Sequence, residues 1–240
     1  MRHAVQWLLS LIFNIQMYLA MLVFGLVYLP YAIWRPQGAI VAAQHYCKYI
    51  RWSLACLCGL HIEYRGTPPK GQVLVAAKHQ SFLDVMAIYA EMPRGRFIMK
   101  SELRFAPILG WYAVRLGCIP VVRGKRAGAI NKMLADVKSG RDLPGQLIIY
   151  PQGTRIAPGV SAPYKVGTAA LYQQMQVPCH PVATNIGLFW PKLGILRRRG
   201  TAIVDFLDPI GPGLGNAAFM ARLEQDIETR SNALNDEARA

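Results

Sequence analysis

Acidic side chains are missing from residues 1–62, and the 240-residue chain holds only 13 Asp and Glu against 27 Lys and Arg, a formal net charge of +14. A stretch that long without a carboxylate is not the solvated surface of an ordinary globular domain. The 5 cysteines, Cys47, Cys56, Cys58, Cys118 and Cys179, are odd in number and contain no C-x-x-C pair. That excludes a disulfide framework and a zinc ribbon, and leaves free thiols of a reducing compartment. The sequence has no G-x-S-x-G, no H-E-x-x-H and no G-x-x-x-x-G-K-[ST]. The signatures of α/β-hydrolases, zinc peptidases and P-loop proteins are therefore absent, and the expectation is a site without metal or cofactor. No internal repeat or low-complexity tract breaks the chain.

What is present begins with apolar sequence: the chain is 53% apolar, with a mean hydropathy of +0.21. Residues 5–34 are nearly continuously apolar, interrupted by Gln6, Ser10, Asn14 and Gln16. About 20 such residues suffice for a helix to cross a bilayer. The run is too long for a signal-peptide core and lacks a small-residue cleavage site, so it is expected to stay as an anchor, ending near Pro30 and Pro36. Residues 41–60 place Gln44, His45, Lys48 and Arg51 at helical spacing, an amphipathic helix with a basic face suited to anionic headgroups. The alternative is a helix pair packed on the core. Arg35, Lys48 and Arg51 point to a cytoplasmic downstream side. A further basic patch, from Arg94 to Lys165, suits an anionic surface or substrate and matches no nucleic-acid-binding motif.

From residue 72 onward, short β-rich runs alternate with helical stretches. Strands are expected at 72–77, 96–100, 118–122, 146–150, 178–184 and 201–207, and helices at 81–91, 106–116, 128–139, 166–175 and 217–234. This predicts an α/β fold, a mostly parallel sheet flanked by helices and preceded by an N-terminal membrane-anchoring helical segment. The division follows: residues 1–62 as anchoring helices, residues 63–240 as the α/β domain. In such sheets ligands bind beyond the carboxyl ends of the strands. His79 follows one strand, Lys100 ends another, Arg123 follows a third and PQGTR, residues 151–155, a fourth.

The segment KHQSFLD, residues 78–84, admits three readings. Ser81 and Asp84 have the spacing of a capping box, worth about 1 kcal/mol. Ser81 beside His79 is also a fragment of a hydrolase site, although no elbow motif supports it. Finally, one helical turn brings Asp84 back to His79, so that the carboxylate holds one ring nitrogen and leaves the other as a base for a substrate hydroxyl.

Four blocks in order carry a family resemblance: H-x-x-x-x-D at His79 and Asp84; KSELRFAPILGWYAVRLGCIPVVRG at 100–124; YPQGTR at 150–155; and VPCHPV at 177–182. Together they resemble the glycerolipid acyltransferases, most closely the 1-acyl-sn-glycerol-3-phosphate (lysophosphatidate) acyltransferases. The resemblance implies that His79 and Asp84 are catalytic, with no covalent acyl-enzyme. It implies that Lys100, Arg123, Gln152, Gly153, Thr154 and Arg155 bind substrate, with the cations on the phosphate and backbone N–H groups of 152–154 nearby.

The implied donor is acyl-CoA or acyl carrier protein, the acceptor a lysophospholipid, the other partners membrane lipids, and the setting the cytoplasmic face of a bacterial inner membrane. Residues 105–114 would line the acyl chain. One departure stands out, Gln152 where the family usually has Glu, which keeps another acceptor such as a lyso-ornithine lipid open. From the residues alone, a non-catalytic protein of anionic membranes and a serine lipase also remain.

Overall fold

The computed structural model describes residues 2–121, 128, 131, 135 and 144–239. Three helices come first: α1 (Arg2–Val27), α2 (Leu29–Trp34) and α3 (Pro36–Cys58). Pro30 lies in the first turn of α2 and Pro36 opens α3, where a missing N–H costs no intrahelical bond. Gly59, at φ +64°, ends α3 in the left-handed conformation open to glycine.

The chain then runs β1 (Leu60–Gly66), β2 (Val73–Ala77), α4 (Leu83–Ala90), β3 (Gly95–Lys100), a 3-10 turn over Ser101–Phe105, α5 (Leu109–Arg115) and β4 (Ile119–Val121). The helix expected at 128–139 falls largely outside the described residues, of which Gly128, Asn131 and Ala135 are helical. After it come β5 (Gln146–Ile149), α6 (Gly167–Met175), β6 (Cys179–Thr184), a 3-10 turn over Ile186–Leu188, β7 (Gly200–Phe206) and α7 (Asn216–Glu237).

The strands form one seven-stranded sheet in the order β1-β7-β6-β2-β5-β3-β4. Every neighbouring pair is parallel except β6 with β7. The mostly parallel α/β sheet is therefore as expected, with β1 and β7 reversed at one side. β1 crosses residue 62 and was not anticipated: HIEYRG is half polar, as suits an edge strand paired only with β7.

The two faces of the sheet bury different helices. Val73, Val75 and Ala77 of β2 point into one cluster with Phe13 and Met17 of α1, Ile50 and Leu54 of α3, and Leu83 and Ile88 of α4. Leu74 and Ala76 point into the other, with Leu171 and Tyr172 of α6 and Phe219, Leu223 and Ile227 of α7. Each large apolar side chain so buried contributes about 1.5–3 kcal/mol. Of the two expectations for the N-terminal helices, the structure shows the packing on the core. One face of α1 and α3 packs on the core, while Leu8, Ile12, Ile15, Tyr18 and Leu19 of α1 and Trp34 of α2 stay exposed.

The polar interruptions of α1 mark its packed face. Gln6 donates to the Cys58 and Arg197 carbonyls at 2.9 and 2.7 Å, and Asn14 to the Ile195 carbonyl at 3.2 Å. The Ser10 hydroxyl accepts the Arg197 N–H at 2.9 Å. Gln16 donates to the Ser53 hydroxyl and accepts from the Tyr49 hydroxyl, both at 2.9 Å. At the far end of the same helix, Tyr112 of α5 donates to the Gly25 carbonyl at 2.8 Å. Helix α1 is the one described helix long and apolar enough to cross a membrane.

Candidate active site

Because β2, β3, β4 and β5 run in one direction, the segments that follow them leave the sheet at one edge. Lys78 extends the β2–β6 pairing by one more bond, its N–H donating to the Val182 carbonyl at 2.9 Å, and the chain then turns toward α4. His79 sits at that turn.

Asp84 lies in the first turn of α4, is fully buried, and gathers three donors on one oxygen. Its Oδ2 meets His79 Nδ1 at 3.1 Å and accepts the backbone N–H groups of Gln80 and Ser81 at 2.6 and 2.7 Å. The Ser81 hydroxyl in turn accepts the Leu83 N–H at 3.2 Å. Cap and orienting group, alternatives in the sequence, are thus the same carboxylate. With the Nδ1–H donated to Asp84, the tautomer is fixed and Nε2 carries the lone pair. Ser81 is fully buried and its hydroxyl is occupied by the helix start, so no acyl carbonyl reaches it. The serine-lipase reading ends there.

The imidazole rests on an aromatic support that the sequence reading missed. Tyr150, at the end of β5, stacks on the His79 ring with centroids 4.0 Å apart and planes 20° apart, and Phe97 stacks on Tyr150 at 6.3 Å and 11°. Burial, with the Asp84 charge adding to it, pushes the Tyr150 hydroxyl well above the ordinary phenol range. That hydroxyl is buried and has no partner among the described residues. The available hint was Tyr150 itself, an aromatic at the end of a strand beside the one that delivers His79.

The turn after β5 folds back against the His79 segment, with the Ile156 N–H donating to the His79 carbonyl at 2.8 Å. Gln152 is buried; its Nε2 faces the Ala162 carbonyl at 3.4 Å, and its Oε1 has no partner among the described residues. Gly153 adopts φ +68°, and its N–H closes the turn onto the Tyr150 carbonyl at 2.9 Å. The backbone N–H expected to face substrate at Gly153 is therefore used within the turn.

The glycine serves a second need, because a Cβ there would lie 2.5 Å from Lys165 Nζ. Lys165 thus joins this turn, a cation that the sequence placed only in a general basic patch. Thr154 is exposed, and Arg155 donates from Nη1 to the Lys192 carbonyl at 3.1 Å. Lys100 ends β3 with its side chain exposed. Arg123 lies outside the described residues.

A further polar group stands directly behind His79. Lys78 is buried and its Nζ lies 2.6 Å from both Glu228 oxygens, while the Tyr164 hydroxyl donates to Glu228 Oε1 at 2.8 Å. Glu228 on α7 so joins the strand exit that carries His79 to the loop that follows the Gln152–Arg155 turn. No local pattern announces a partner so distant in sequence.

A His–Asp pair with Nε2 free, cations at the same edge and no nucleophilic side chain beside them among the described residues is an arrangement able to take a proton from a hydroxyl. A family model described as Acyltransferase matches residues 61–185, and the chain belongs to the acyltransferase family.

The chain is 26% identical over 199 residues to a 1-acyl-sn-glycerol-3-phosphate acyltransferase of Pseudomonas aeruginosa, covering 82% of this chain and 76% of that one. To the protein of the same name from Saccharomyces cerevisiae it is 31% identical, over 71% of this chain and 60% of the other. A lyso-ornithine lipid O-acyltransferase of Pseudomonas aeruginosa is 34% identical over 45% of this chain and 42% of its own. The fold matches the crystal structure of the 1-acyl-sn-glycerophosphate acyltransferase PlsC from Thermotoga maritima with a TM-score of 0.81, 21% identity and 98% of both chains covered. The protein is an acyltransferase, which sets aside the non-catalytic reading.

Proposed function

We propose that this enzyme transfers a fatty acyl group from an acyl-thioester to the free hydroxyl of 1-acyl-glycerol-3-phosphate, giving phosphatidate and a free thiol. The observation that carries this is the His79–Asp84 contact of 3.1 Å at the sheet edge where the cations gather. His79 Nε2 takes the hydroxyl proton as the oxygen attacks the thioester carbonyl, and Asp84 stabilises the imidazolium. Collapse of the tetrahedral oxyanion breaks the C–S bond, and the departing thiolate takes the proton back from His79. A base so placed contributes roughly 10²- to 10⁴-fold.

A phosphate monoester carries about two negative charges at neutral pH, and cations meet it best in numbers. Arg155 and Lys100 are assigned to it, with Arg123 from the sequence reading and Lys165 from the turn. Gln152, Gly153 and Thr154 form the wall beside the acceptor. Gln152 offers an amide where a carboxylate is usual, and together with the lyso-ornithine relative it supports one second reading, acyl transfer to a lyso-ornithine lipid.

The donor is acyl-CoA or acyl carrier protein, and the setting is the cytoplasmic face of a bacterial inner membrane. Residues 1–62 anchor and residues 63–240 catalyse, a division of role rather than of packing.

Acyl transfer by purified, detergent-solubilised protein to lysophosphatidate, beside His79→Ala and a lyso-ornithine-lipid acceptor, tests the reading. Phosphatidate formation that falls by roughly 10²-fold or more in His79→Ala supports it. Transfer only to the lyso-ornithine lipid keeps the chemistry and moves the acceptor. Transfer to neither overturns it.

A further inference from the structure

The loop between the 3-10 turn after β6 and the start of β7, residues 191–199, reads PKLGILRRR. It is closed at its base by the Arg198 N–H donating to the Phe189 carbonyl at 2.8 Å. Arg197 holds it from within: the buried guanidinium lies 3.9 Å over the Trp190 ring, and donates to the Gly194 carbonyl at 3.0 Å and to Asn14 Oδ1 of α1 at 2.7 Å. A loop built this firmly nevertheless shows Leu193 at 79% exposure, with Lys192 exposed next to it and Arg198 and Arg199 exposed at its base. An exposed apolar tip on a loop with basic flanks matches the interface of an anionic bilayer, apolar into the acyl boundary and basic at the headgroups.

Two neighbours fix where this loop stands. Its Ile195 and Arg197 carbonyls accept from Asn14 and Gln6 on the packed face of α1, in the same turns of that helix as the exposed Trp7, Leu8 and Ile12. Its Lys192 carbonyl accepts from Arg155, a residue of the turn beside His79. We propose that residues 191–199 are a second bilayer contact, seated in anionic headgroups, that ties the anchor helix on one side to Arg155 on the other. This rests on α1 being membrane-bound.

The test uses the full chain with Cys56, the exposed cysteine, changed to Ser, and one new cysteine at a time carrying an environment-sensitive fluorophore: Leu193→Cys, Leu19→Cys on the exposed face of α1, and Lys70→Cys ahead of β2 at the opposite sheet edge. Each is reconstituted in phosphatidylethanolamine–phosphatidylglycerol vesicles and in phosphatidylcholine vesicles.

The expected result is quenching of labels 193 and 19 by lipids brominated on their chains, quenching of label 70 by aqueous iodide alone, and a stronger effect at 193 in the anionic vesicles. Lipid quenching at 19 with only iodide quenching at 193 overturns the proposal and leaves the anchor standing. Iodide quenching at all three overturns both. Equal lipid quenching at 193 in the two vesicles overturns the assignment to anionic headgroups. Shielding of 193 only when acyl carrier protein is added overturns it in favour of a protein surface.

Discussion

Lys78 and Glu228, 150 residues apart in sequence, meet at 2.6 Å with the lysine side chain 2% exposed, and so tie the C-terminal helix to the residue before His79. Removing one charge from such a pair strands the other. Glu228→Gln should lower stability by about 3 kcal/mol, the low end for a broken buried pair, because the glutamate keeps partial access to water. Lys78→Met with Glu228→Leu should recover most of that loss. Urea denaturation of the three variants measures both. A double variant no more stable than Glu228→Gln would mean that the pair is more than a compensated burial.

Tyr150 separates two contributions on one side chain. Tyr150→Phe keeps the ring under His79 and deletes a buried hydroxyl without a described partner, so stability should rise by about 1 kcal/mol with turnover close to the parent. Tyr150→Leu loses the platform and should lower kcat by about tenfold at nearly constant KM, since it acts on the orientation of the base. Steady-state kinetics beside thermal melts distinguish the two.

Gly153→Ala meets both a positive φ and the Lys165 ammonium 2.5 Å from the new Cβ. The left-handed conformation alone costs an L-residue about 1–2 kcal/mol. The expected outcome is a raised KM for the lysophospholipid acceptor, with the KM for the thioester little changed. Equal rises in both would detach the Lys165 turn from the acceptor.

Burial pushes the Tyr64 hydroxyl up to about 12, while its O–H donates to the Ala87 carbonyl of α4 at 3.0 Å. Below the unfolded value of about 10 both states keep the proton, and the contribution to stability is complete. Between about 10 and about 12 only the unfolded chain ionises, so stability falls as pH rises through that window. Tyr64→Phe should flatten part of this alkaline slope and lower stability near neutrality by about 1 kcal/mol, the worth of one hydrogen bond. Urea midpoints across the window measure both.

Much of this was legible before any coordinates. The burial of β2 on both faces is visible in the continuous apolar run VLVAA, and the five-residue spacing of His79 and Asp84 across a helix start is enough to bring them together. Strand direction was read only as mostly parallel; the antiparallel β6–β7 pair goes with a connection, residues 185–199, in which the structure has no helix long enough for a crossover. What stayed hidden depends on distant partners. The bond from Gly153 back to Tyr150, the stack of Tyr150 on His79 and the pairing of Lys78 with Glu228 each need the tertiary arrangement, because the same residues in another fold would face water or other neighbours.

The polar residues of α1 change what it would mean to shorten this protein. Phe13 and Met17 fill the same cluster as Leu54 and Ile88, and Asn14 is the side-chain oxygen on which Arg197 rests. Cutting away the first helix to obtain a water-soluble enzyme would therefore open the catalytic core on one face and leave a buried guanidinium short of an acceptor. A detergent-free version is better sought by replacing the outward residues Leu8, Ile12, Ile15 and Leu19 with polar ones, so that the helix is repainted rather than removed.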